Sequence, residues 1–194
     1  MASNSSAPAS PERQARLDAL LDRQDILDCM TRFCRGMDRF DRALYLSAFH
    51  PDAVMAAGPY VGDVQGCYDW AQPMHEAGQV ATHHNILNHS VDIDGDTAHS
   101  ETYYLFVGRN RDESNWIAGG RYIDRLERRD GEWKIALRTN LIEWSGMAPT
   151  TPLPFSELAD IHANGAASRS LDDPSYQRPL RNHRVPQSPP AAGD

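Results

Sequence analysis

No run of apolar residues in this 194-residue chain is long enough to cross a bilayer, and no two cysteines stand at the spacing of a metal clasp or redox motif. The three that occur, Cys29, Cys34 and Cys67, are an odd set without a CxxC, which points to reduced, buried thiols of a cytoplasmic protein. Positive charge is also short: 19 Lys and Arg stand against 27 Asp and Glu, a net charge of −8. Nucleic acid and anionic lipid both demand a clustered basic footprint, so neither is expected as a partner. The opening "MASNSSAPAS" has neither the basic start nor the apolar core of a secretory signal. There is no GxGxxG nucleotide fingerprint, since the glycines of "AGGRY" lie in a strand pattern. No cofactor is expected.

What is present suffices for one packed domain, with hydrophobic residues at 40% of the chain. Residues 1–10 are small and polar and read as a disordered tail. Ser10-Pro11-Glu12 then opens a helix, with a capping serine, a proline in the first turn and an acid behind it. Leu17, Leu20, Leu21, Leu27, Met30, Phe33 and Met37 continue at helical spacing, with a break expected near Asp22 and an end at Gly36. Asp41 caps a short second helix, "RALYLSAF". A strand "AVMAA", a Gly-Pro turn and a third helix over about 65–77 follow, with Pro73 as a kink or end. From residue 80 the period changes to two. "ATHHNILNHSVDI" and "HSETYYLFVGR" flank an Asp94-Gly95-Asp96 turn, and "WIAGGRYIDRLER" and "WKIALRTNLIEW" flank Arg129-Asp130-Gly131-Glu132. Helices followed by an antiparallel meander indicate an α+β fold, a bent sheet wrapped around N-terminal helices. The domain is expected over 11–144, and 145–194 as an extended C-terminal segment with a helical turn near Ser156–Ile161.

The stretch "ATHHNILNHSVDIDGD" holds three histidines. Strand neighbours face opposite ways and rise about 3.3 Å each. His83 and His84 therefore diverge, as do His84 and His89, while His83 and His89 share a face about 20 Å apart, beyond one metal ion. No metal site is expected, and no spacing recruits His50 or His75 to one. Solvated or core histidines remain the simpler reading unless another part of the chain supplies a partner. One acid is out of place: Asp38 follows the first long helix, where the dipole is negative and Lys or Arg is usual.

The segments "DRQDILDCMTRFCRGMDRFDRALYLSAFHPDAV", "THHNILNHSVDIDGDTAHSETYY" and "GGRYIDRLERRDGEWKIALR" resemble the SnoaL-like branch of the nuclear transport factor 2-like superfamily, over about residues 16–144. That resemblance implies a cone-shaped α+β barrel enclosing a pocket. Dehydrochlorinases and dehydratases of the branch carry an Asp–His dyad, which the matching motifs place at Asp38 of "RGMD" and at His84 in the Thr82, His84, Asn88 setting. The resemblance also turns Arg138, five residues after Trp133, into the pocket. One departure matters: these enzymes place a lysine or tyrosine five residues before the aspartate, and this chain has Phe33. Acid assistance would then fall to Tyr45, Tyr60 or Tyr104.

The chemistry implied is general-base catalysis by neutral His84, oriented by Asp38, with Arg138 stabilising negative charge on a leaving group or oxyanion. A cofactor-independent lyase follows, expelling water, halide or a carbon fragment such as formaldehyde. An isomerase or polyketide-type cyclase on the same dyad, and a non-catalytic binding module, stand as alternatives. Phe33, Phe49, Trp70, Tyr104, Phe106 and Trp144 are expected as aromatic walls around a small hydrophobic, aromatic or polycyclic substrate, with Tyr45 and Tyr60 beside it. The strands "WIAGGRY" and "HSETYYLFVG", apolar on both faces, suit a homo-oligomer, a trimer before a dimer, with residues 145–185 packed over a neighbour or over the pocket mouth.

Overall fold

The computed structural model describes residues 10–187, so the disorder expected of the first nine residues and the end of the proline-rich tail lie outside the described residues. The chain begins with α1, Pro11–Asp38, capped by Ser10, whose hydroxyl accepts the Arg13 N–H at 3.3 Å. This helix is continuous through Asp22, and Gly36 lies inside it. The close crossing with α2, Arg42–Ser47, explains that glycine: a Cβ there would run into the Tyr45 backbone. Burial begins only at Ile26. The first turns overrun the sheet, which leaves Leu17, Leu20 and Leu21 exposed rather than in the core.

After α2 come β1, Phe49–Ala57; β2, Tyr60–Asp63; and α3, Val64–Gly78. The α3 helix continues through Pro73, held to the sheet by its buried Cys67, Ala71 and His75. The meander follows as β3, Gln79–Asp94; β4, Thr97–Asn110; β5, Asn115–Arg129; and β6, Glu132–Ala148. Both hairpin turns fall where the Asp-Gly pairs stand, with positive φ at Gly95, Asp130 and Gly131.

The six strands form one sheet in the order β2-β1-β6-β5-β4-β3. Four long strands are antiparallel as the alternation requires, but β1 joins β6 in parallel, so the sheet is mixed. The strand between the helices has to use the edge that the meander leaves, and β6 runs the same way there. Register shifts between Ile86 and His89 on β3, and between Gly119 and Gly120 on β5, bend the sheet around α1. It remains open, with β2 and β3 at its edges. The concave face and the helices enclose the core, built around Met30, Phe33, Tyr45, Tyr122 and Ile135.

Among the described residues beyond β6, regular structure is confined to a short 3₁₀ turn, Pro174–Tyr176; residues 156–161 form turns rather than a helix. This segment folds back on its own chain. Arg35 donates to Ser175 and lies over the Tyr176 ring at 4.5 Å, and the Tyr176 hydroxyl donates to Asp41 at 2.8 Å. Among the described residues no helix is long and apolar enough to cross a membrane.

Candidate active site

Asp38 ends α1 and is buried, and its carboxylate meets two donors of a single residue on β3. Oδ2 accepts the backbone N–H of His84 at 2.8 Å, and Oδ1 lies 2.6 Å from His84 Nδ1. An ionised carboxylate only accepts, so Nδ1 carries the hydrogen and Nε2 of the neutral ring is left as a bare lone pair. Burial pushes the Asp38 carboxyl up, but the hydrogen bonds and charge of His84 outweigh it and hold the acid below its ordinary value.

The ring of His84 lines a cavity of about 280 Å³ between the concave sheet face, α1 and α3. Phe33, Tyr45, Trp70, Tyr104 and Phe106 share its walls. Phe106 packs edge-on to the imidazole at 4.9 Å between ring centres, and Phe33 does so at 6.0 Å. The Tyr45 hydroxyl is buried and has no hydrogen-bond partner among the described residues. Burial first, with Cys67 next to it, raises the Tyr45 phenol, so it stays protonated.

Arg138 also reaches the cavity, fully buried. Its charge is already matched: Nε and Nη2 each donate to an oxygen of buried Asp124 at 2.7 Å. The guanidinium packs against Phe33 and Tyr122, 4.2 and 4.3 Å from the ring centres of this edge-on pair. Only Nη1 lacks a partner among the described residues. Burial opposes this cation, but Asp124 more than compensates and raises its pKa. It therefore offers one directed N–H rather than a free positive charge.

The family model of the SnoaL-like domain matches residues 18–139. The chain belongs to the SnoaL-like domain family. Solved structures share its fold at low identity. A hexachlorocyclohexane dehydrochlorinase, LinA-type3 of Novosphingobium barchaimii, is 20% identical with a TM-score of 0.63, covering 69% of this chain and 94% of its own. A proposed scytalone dehydratase of Novosphingobium aromaticivorans is 18% identical at a TM-score of 0.60, covering 69% and 91%. The Kfla4162 protein of Kribbella flavida is 18% identical at 0.60, covering 66% and 95%. No curated protein matches the sequence.

Three residues expected in this SnoaL-like site stand elsewhere. Phe49 is buried behind the cavity wall, edge-on to Phe33 at 5.9 Å. Tyr60 stacks on Trp70 and gives its hydroxyl to the Asp63 carbonyl at 3.0 Å, outside the cavity. Trp144 is 49% exposed: the irregular pairing of β6 with Gly119 and Gly120 turns it to the outer face, where its ring covers Gly119. The β3 bulge likewise corrects the histidine parity. His84 and His89 both face inward, and His89 Nδ1 pairs with Thr102 Oγ1 at 2.8 Å. His83 points out to solvent.

Sequence reasoning missed His75, Trp116, Tyr122 and Asn140, all on the wall. For three of them a signal existed. Trp116 and Tyr122 keep step with Ala118 and Asp124 on β5, and Asn140 stands two residues beyond Arg138 on β6. The cysteines are all free and buried, and burial raises the Cys29 thiol to about 11.

Proposed function

We propose that the cavity houses a cofactor-independent lyase in which His84 Nε2 removes a proton from a C–H or O–H of a hydrophobic aromatic or polycyclic molecule. In elimination the C–H electrons become the new π bond, and water or halide leaves with its own pair. In the retro-aldol variant the O–H proton goes to His84, and the O–H pair becomes the carbonyl π bond of a released fragment such as formaldehyde. The C–C pair stays on the remaining molecule as a carbanion that takes the proton back from His84. Asp38 fixes the tautomer and stabilises the imidazolium as it forms. Tyr45 or Tyr104 supplies the proton that assists departure, where Phe33 cannot, and Arg138 Nη1 donates to a developing oxyanion.

The observation that carries this reading is the bidentate clasp of one carboxylate on the N–H and the ring of His84, at 2.8 and 2.6 Å, with Nε2 left to an apolar cavity. A solvated histidine has no need of such a clasp. The test is product analysis by mass spectrometry with hydroxylated and halogenated aromatic substrates, which separates loss of a group from isomerisation. His84→Ala and Asp38→Asn should each lower turnover by about 10²–10⁴. Full turnover in either variant would remove the dyad from the mechanism.

We assign the outer sheet face, with Leu87, Tyr103, Leu141 and Trp144 exposed on it, to self-association as a homotrimer. Light scattering on the purified chain decides between trimer, dimer and monomer.

A further inference from the structure

One histidine of the cavity wall has no part in that mechanism. His75, on α3, is 8% exposed, and its ring stands edge-on to His84 at 5.9 Å between centres. Its Nδ1 lies 3.1 Å from Gln79 Oε1, and Nε2 has no protein partner among the described residues. Which nitrogen bears the hydrogen is decided by a relay that starts on a carboxylate.

Asp112 can only accept, so the Ser114 hydroxyl, at 2.6 Å, must donate to it. The Ser114 oxygen then accepts from Asn110 Nδ2 at 2.9 Å, which turns Asn110 Oδ1 toward Gln79. Gln79 Nε2 donates to that oxygen at 3.1 Å and presents Oε1 to His75. His75 Nδ1 therefore carries the hydrogen, and Nε2 is a bare acceptor. Reversing any amide in the relay would set two oxygens, or two N–H groups, against each other further along. Burial, then the charge of His84, lowers the His75 pKa to about 4, with Arg169 adding to this and Gln79 and Asp38 opposing it. The ring stays neutral near pH 7.

We propose that His75 Nε2 accepts a hydrogen bond from a hydroxyl of the substrate, which makes the ligand class a hydroxylated aromatic and not a wholly apolar or merely halogenated one. This deepens the lyase reading only in taking the cavity as the substrate site; it does not need His84 to act as a base. A ligand without a donor covers this lone pair and leaves it unmatched, a loss that an apolar wall does not recover.

The probes are 2-naphthol and naphthalene, with binding followed by quenching of the cavity tryptophans. The wild-type chain should bind 2-naphthol about five- to tenfold more tightly, His75→Phe should lose that preference, and His84→Ala should keep it. A preference that survives in His75→Phe overturns the assignment, as does its absence in the wild type. Loss in His84→Ala alone moves the hydroxyl to the dyad and also overturns it. Long-range ¹⁵N–¹H spectra of the wild-type protein give an independent check. They should show His75 protonated at Nδ1, and the Nε2–H tautomer would refute the relay. Catalytic failure of the His84 reading leaves all of these measurements intact.

Discussion

Replacing Asp124 by asparagine keeps the volume of a fully buried side chain and removes its charge. Its partner Arg138 is equally buried, with both side chains at 0% exposure, so no water can take over. The wild-type pair has two charge-assisted hydrogen bonds of 2.7 Å. Breaking a buried pair costs about 3–5 kcal/mol, because the surviving ion is left uncompensated. The asparagine oxygen can still accept one of the two bonds, and the Phe33 and Tyr122 rings still face the cation, so the lower end, about 3 kcal/mol, is expected. For a domain of this size that is a fall in Tm of about 6–12 °C. Urea unfolding should show a lower midpoint with an unchanged slope. The double variant Asp124→Leu/Arg138→Met should regain most of the loss, since neither residue then carries an ion into the core. A single variant within about 1 kcal/mol of wild type would refute the claim that this ion pair is sealed from solvent. So would a double variant that is no better than the single one.

His75 makes stability depend on pH. Its folded pKa of about 4 lies below the unfolded value near 6.5, so the unfolded chain takes up the proton first. The contribution is complete above about pH 6.5 and is lost as pH falls toward 4, by about 3 kcal/mol in total. Urea titrations across that range should show a shallower pH slope in His75→Phe, by about one proton; equal slopes would mean the ring is solvated. Gly36→Ala should destabilise by about 1–3 kcal/mol, because the Tyr45 backbone occupies the space a methyl group would need; an unchanged unfolding midpoint would mean α1 and α2 cross less tightly. A chain ending at residue 148 loses the Ser175 and Tyr176 contacts to Arg35 and Asp41, which flank Asp38. Its oligomer size or turnover should change, and identical behaviour on both counts would make the segment a passive tail.

The helices, the two hairpins and the α+β class were legible because they depend on local signals: apolar spacing, a capping serine, Asp-Gly turns. Helix ends were less so. Gly36 reads as a stop, yet it lies inside α1 because Tyr45 presses on it, a contact between elements that no local rule contains. The parallel pairing of β1 is similarly a property of the completed sheet. Asp38 and His84 are 46 positions apart, and residue types alone left the histidine a core or surface residue. The family resemblance joined them, and the 2.6 Å contact is what that pairing looks like in three dimensions.

Facing was the least legible property, for a definite reason. Strand alternation assigns sides only while the ladder is regular, and one inserted residue reverses every side chain beyond it. The bulge between Ile86 and His89 brings His89 to the inner face, and the shift at Gly119–Gly120 sends Trp144 to the outer one. Arg138 owes its facing to such an irregularity. The extra residue at Ala136 lets Trp133 and Ile135 point inward before it and Arg138 after it, where unbroken alternation from Trp133 would turn Arg138 out. His84 follows a shift at Gln79–Ala81 and keeps step with Thr82 and Ile86 up to the next one. The bulges that spoil the reading also bend the sheet enough to hold a cavity. A sheet with perfectly legible alternation would be flatter, and His84 would have less room in front of its free nitrogen.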